Sequence, residues 1–105
     1  MKLQVESRTG MASRWRRRRM CVLIAGGPSP AALTHVTATG ASLETGARPL
    51  LGARVCLQHP EAGAIEAKVI GLAADGLTLA FELTERSVAF ALAATTADMS
   101  RPRWG

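Results

Sequence analysis

Ala74-Asp75-Gly76-Leu77-Thr78-Leu79-Ala80-Phe81-Glu82-Leu83 carries the clearest structural signal in the chain. Leu77, Leu79, Phe81 and Leu83 recur with period two, and Thr78, Ala80 and Glu82 stand between them, as in a strand with one face buried. Asp75-Gly76 ahead of it suits the centre of a type I′ turn, in which both residues need positive φ. The turn should join this strand to an antiparallel neighbour. Ile65, Ala67 and Val69 supply that neighbour's inward face, with Glu66 and Lys68 turned to water. Further upstream, Val55 and Leu57 point one way and Arg54, Cys56 and Gln58 the other, until Pro60-Glu61-Ala62-Gly63 turns the chain.

Toward the N-terminus the runs are shorter. Cys21–Ala25, Ala32–Thr37 and Ala41–Glu44 read as strands, broken by Gly26-Gly27-Pro28-Ser29-Pro30, by Gly40 and by Thr45-Gly46-Ala47-Arg48-Pro49. Past Thr84, a candidate N-cap followed by Glu85, the period changes. Val88, Ala91, Leu92 and Thr95 recur at helical spacing, with Phe90 off that stripe. Six short strands without intervening helices predict a small antiparallel β-barrel closed by a C-terminal helix. Residues 1–13 are expected to be a disordered N-terminus, 14–98 the barrel domain with its helix, and 99–105 a loose tail.

The chain has 105 residues, enough for one core, with 48% apolar residues to build it. Aromatics are only 4%, so Leu, Val, Ile and Ala must fill the interior. The formal charge of +5 is unevenly spread. Residues 1–20 hold seven basic and one acidic side chain, whereas residues 21–105 hold six and seven. A near-neutral domain thus carries a cationic N-terminal arm, which calls for an anionic partner. No apolar run reaches the roughly 18 residues of a membrane span. Met20–Ala25 is also shorter than the roughly 7–15 residues of a secretory h-region, so a cytoplasmic location is expected. Cys21 and Cys56 lack metal-ligand spacing and read as buried reduced thiols, with a disulfide between them the other option.

Catalytic chemistry finds little to work with. His35 and His59, two cysteines and scattered acids form no nucleophile–base or metal-ligand constellation, so neither an enzyme nor a bound metal or cofactor is expected. His59, before Pro60 at a strand end, reads as a solvated loop histidine. Gly26-Gly27 lacks the Lys-Ser/Thr of a phosphate loop. The arginine run Arg14-Trp15-Arg16-Arg17-Arg18-Arg19 is different. Guanidinium forks onto phosphate oxygens and onto the O6 and N7 edge of guanine, so the run suits a ligand bearing both.

Arg14-x-x-x-Arg18 just before the first strand, the phrase Thr39-Gly40-Ala41-Ser42-Leu43 after the second, and a barrel with a terminal helix together resemble the PilZ domain. That family comprises the bacterial receptors for cyclic di-GMP, and the resemblance spans residues 14–98. It implies that Arg14 and Arg18 grip phosphates and guanine edges, with Trp15, Arg17 and Arg19 as additional contacts. The family's second motif, D/N-x-S-x-x-G, falls on His35-Val36-Thr37-Ala38-Thr39-Gly40. Gly40 is kept, Thr37 retains a hydroxyl in place of serine, and His35 replaces the acid or amide. Neutral imidazole offers one acceptor where a carboxylate offers several, and imidazolium repels arginine. The resemblance therefore implies a cyclic di-GMP-binding receptor or adaptor in second-messenger signalling, with His35, Thr37 and Gly40 lining the pocket. Two alternatives stand beside it: a degenerate PilZ-like module that binds a protein and no nucleotide, and a basic arm that binds nucleic acid or an acidic membrane.

Overall fold

The computed structural model describes residues 20–99. Six antiparallel strands close into a barrel in the order β1-β2-β3-β6-β5-β4, and one helix follows. The strands are β1 (Met20–Ile24), β2 (Pro28–Thr37), β3 (Gly40–Thr45), β4 (Arg54–His59), β5 (Gly63–Ala73) and β6 (Gly76–Ala80), and the helix α1 is Glu85–Met99. Each half of the chain is a three-stranded meander, and the β3–β6 and β1–β4 pairings seal the two halves together. Closure removes the unpaired sheet edges that a small β domain must otherwise protect. No helix among the described residues is long and apolar enough to cross a membrane.

The expected alternation holds where it was clearest. Val55, Leu57, Ile65, Ala67, Val69, Leu77, Leu79 and Phe81 are buried, and they meet Cys21, Leu23, Leu33 and Leu43 from the opposite wall. Cys21 faces this core while Cys56 alternates away from it, so the two thiols are not placed to form a disulfide. Prolines 28 and 30, expected in a break, instead open β2. They lie beyond the end of the β2–β3 ladder at Ala31–Thr45, in a stretch paired only with β1, where proline is tolerated.

The turn before β6 differs from expectation. It falls on Ala74-Asp75, with Ala73 opposite Gly76, and none of these residues has positive φ, so it is not a type I′ turn centred on Asp75-Gly76. Gly76 is demanded by something else: a Cβ there would run into the backbone carbonyl of Leu43 on β3. β6 also ends at Ala80, leaving Leu83 exposed although the alternation continues through it.

The helix shows the reverse of its expected face. Ser87, Phe90, Ala94 and Ala97 are buried, whereas Val88 and Leu92 are 48% and 66% exposed. Phe90, fully buried, meets Phe81 edge-on at 5.6 Å and His59 at 6.0 Å, and the Arg86 guanidinium lies 5.8 Å from its ring centre. The largest side chain in the helix decides which side packs against β2 and β5. Thr84 caps α1 as expected: its hydroxyl accepts the Ser87 N–H at 3.2 Å, and Ser87 Oγ accepts the Thr84 N–H at 2.9 Å. His59, expected in solvent, is only 4% exposed. Its Nδ1 accepts the backbone N–H groups of Glu61 and Ala62, both at 3.0 Å, and so holds the β4–β5 turn beneath the helix.

Phe90→Ala should therefore cost about 3–5 kcal/mol of unfolding free energy, while Leu92→Ser should stay within about 0.5 kcal/mol of the parent. Urea denaturation followed by circular dichroism measures both.

Candidate functional site

The β2–β3 ladder slips by one residue between Leu33 and His35, leaving Thr34 as a bulge. Leu33 faces the core, so an unbroken period of two would turn His35 inward as well. The extra residue reverses the phase, which places His35 and Thr37 on the outside and packs Val36 against the core. Thr34 Oγ1 donates to the Ser42 carbonyl at 3.0 Å and pins the bulge. A second slip, between Val69 and Gly71, does the same on β5.

Lateral pairing then arranges the outer face in rows. One runs Thr37–Gly40–Ala80–Lys68–Arg54 across β2, β3, β6, β5 and β4. The next runs His35–Ser42–Thr78–Gly71. Because the barrel closes with six strands, β2 and β5 lie opposite each other in the ring, so Thr37 and Lys68 point outward on opposite sides, with Gly40 and Ala80 between them along the row. The middle of the row, at Gly40 and Ala80, carries almost no side-chain volume.

The expected pocket residues His35, Thr37 and Gly40 lie on the outer side of the β2–β3 pair. His35 is exposed and directly opposite Ser42. The Thr37 hydroxyl is partly used by its own turn: it accepts the Thr39 N–H at 3.2 Å and lies 3.2 Å from the Thr39 hydroxyl. Gly40 has a steric duty, since a Cβ there would collide with the Leu79 carbonyl of β6. Arg14, Trp15, Arg17, Arg18 and Arg19 lie outside the described residues, as do all of the expected disordered N-terminus and residues 100–105 of the expected tail.

Lys68 and Arg54 end that row on the far side of the barrel. Each alternates outward in its own strand, but only the β4–β5–β6–β3 register shows that they continue the row holding Thr37 and Gly40. Arg54 is shared with Glu66 at 3.5 Å, an exposed contact that contributes little to stability. At the far end of the same face lies a shallow cleft of about 280 Å³ lined by Thr34, Ser42, Glu44, Asp75 and Thr78. It shares Ser42 and Thr78 with the histidine row and none of the expected pocket residues. The cleft end of the β3–β6 surface is thus acidic, through Glu44 and Asp75. Among the described residues no group of His, Cys, Asp and Glu is arranged to hold a metal ion.

No family model matches this chain, and no curated protein or solved structure is significantly similar to it.

Gly40→Ala should destabilise the barrel by about 1–3 kcal/mol through the clash with the Leu79 carbonyl, whether or not a ligand is present. Thermal melts of the parent and the variant, with and without added nucleotide, separate this steric duty from a role in binding.

Proposed function

We propose that the chain is a PilZ-like receptor or adaptor domain for cyclic di-GMP, acting in the cytoplasm as a bacterial second-messenger module. The supporting observation is the shared position of the histidine–threonine–glycine face and the start of β1. Met20 opens β1 opposite Ala32, and His35 is three residues further along β2, roughly 10 Å at about 3.3 Å per residue. Arg18 and Arg14 precede Met20 by two and six residues, lengths that span at most about 7 and 21 Å. Both guanidinium groups are therefore within chain reach of the face.

In this reading the phosphates of the ligand meet Arg14 and Arg18 of the arm, with Trp15, Arg17 and Arg19 beside them. Gly40 and Ala80 form the floor because a planar base can lie close to backbone that bears no bulk. Thr37 and His35 border it. Arm closure over the dinucleotide would change the surface offered to a downstream protein, which is how a receptor without catalytic groups transmits occupancy.

One observation favours the second reading, a degenerate module that contacts protein alone. The Thr37 hydroxyl already serves its own turn, and His35 presents imidazole where the family presents a carboxylate or amide. Under that reading His35→Asp should create or strengthen nucleotide binding.

Calorimetric titration with cyclic di-GMP, with GMP as control and at two salt concentrations, discriminates the two. The receptor reading expects saturable, dinucleotide-selective heat that weakens roughly tenfold to a few hundredfold in Arg14→Ala or Arg18→Ala. Lys68→Ala, on the opposite side of the barrel, should leave it unchanged. Absence of heat from a folded protein rejects the receptor. A steep salt dependence spread evenly over all the arginines would instead assign the arm to polyanion binding.

A further inference from the structure

The imidazole of His59 is 4% exposed, and its Nδ1 accepts two backbone N–H groups, from Glu61 and Ala62, both at 3.0 Å. An acceptor nitrogen bears no proton, so the ring is neutral and its hydrogen sits on Nε2. Protonation would turn that acceptor into a donor facing two donors. Both bonds to the turn would be lost, and a cation would stand in a site nearly closed to water. A docked turn and a charged ring therefore exclude each other.

The helix is fastened to this same turn. Arg86 donates to the Ala62 and Ala64 carbonyls at 3.1 and 2.6 Å, on either side of Gly63, and Phe90, one turn further along α1, meets the His59 ring at 6.0 Å. The six strand pairings that close the barrel, by contrast, use no residue of the helix. Release of α1 thus leaves the sheet closed. The titratable and charged groups around the ring come from several elements: Glu61 in the turn, the Cys21 thiol of β1, whose neighbour Val22 pairs with Gln58, Glu82 after Phe81, and Glu85 and Arg86 at the start of α1. From β5, Gly63 stands opposite His59 and brings no charge. Glu61, Glu82 and Glu85 are exposed and screened by water, so they do little to favour an imidazolium, and the Arg86 guanidinium bonded into the turn opposes one.

We propose that His59 is an acid switch, whose protonation frees the β4–β5 turn and α1 while the barrel stays closed. The open form takes up a proton that the docked form cannot hold. Opening therefore becomes about tenfold more favourable for each pH unit below about 6.5, the ordinary histidine value, and is insensitive to pH above it. Release uncovers Phe81 and Phe90, which meet edge-on at 5.6 Å when the helix is docked, and so offers an apolar contact surface in acid alone. None of these groups belongs to the His35–Thr37–Gly40 surface, so the switch stands whether or not cyclic di-GMP binds.

Native-state hydrogen exchange of the full chain, followed by NMR at pH 7.5 and 5.5 and corrected for intrinsic exchange rates, tests it. The amides of Glu61, Ala62 and α1 should lose protection about tenfold at the lower pH, and those of β3 and β6 should not. In the same spectra the His59 ring of the docked form should keep the signals of a neutral imidazole at both pH values. His59→Asn retains an acceptor near the Nδ1 position and does not titrate, so its helix protection should be the same at pH 7.5 and 5.5 even where it is lower throughout. Unchanged protection in the parent overturns the proposal, and so does a His59 ring that becomes charged while the helix stays docked. An equal loss in β3 and β6 overturns it too, by making His59 a determinant of global stability, as does a pH dependence that persists in His59→Asn.

Discussion

The approach of β3 to β6 sets the geometry on which the remaining surfaces depend. Two meanders become one barrel only if these strands pair along their length, and they come so close at both ends that Gly40 and Gly76 have no space for a Cβ. The same pairing brings Thr37 and Gly40, from the first half of the chain, into line with Lys68 and Arg54 from the second. A ligand on Gly40 and Ala80 would therefore touch residues that are neighbours only because β3 and β6 pair. Binding and folding are linked in such an arrangement, since the unfolded chain offers no equivalent row.

The helix supplies the second fixed point. Phe90 brings Phe81, from the segment after β6, together with His59 at the end of β4, and Arg86 binds the carbonyls of Ala62 and Ala64 at 3.1 and 2.6 Å. Four separate parts of the chain are thus held at one end of the barrel by a single ring and a single guanidinium. A domain with 4% aromatic residues has few such rings to place, and two of them meet here.

Much of the barrel was legible because period two survives wherever one face of a strand is buried and the other is wet, as from Val55 to Leu57, from Ile65 to Val69 and from Leu77 to Leu79. What escaped has identifiable causes. The helix offers apolar residues all round, so spacing alone favoured Val88 and Leu92, while the packed side includes a serine and two small alanines; the volume of Phe90 was the better guide. His59 looks like a loop residue because it precedes proline, yet its ring nitrogen satisfies two backbone donors that would otherwise be stranded under the helix. Lys68 and Arg54 could not be connected to Thr37 without strand pairing, which a single sequence does not display. The resemblance to the PilZ domain drew on the arm and on residues 35–40, and it left Gly40's steric duty unseen.

The extra residues on β2 and β5 mark where the barrel can change its length without changing its surface. Removing Thr34 would join Leu33 to His35 in an uninterrupted alternation, with His35 still outside and Val36 still inside, at the loss of the hydroxyl that donates to the Ser42 carbonyl. A residue added or lost elsewhere in the paired strands would instead exchange inside for outside beyond it. Divergence of this domain should thus admit single-residue indels at positions 34 and 70 and purge them within the regular ladders.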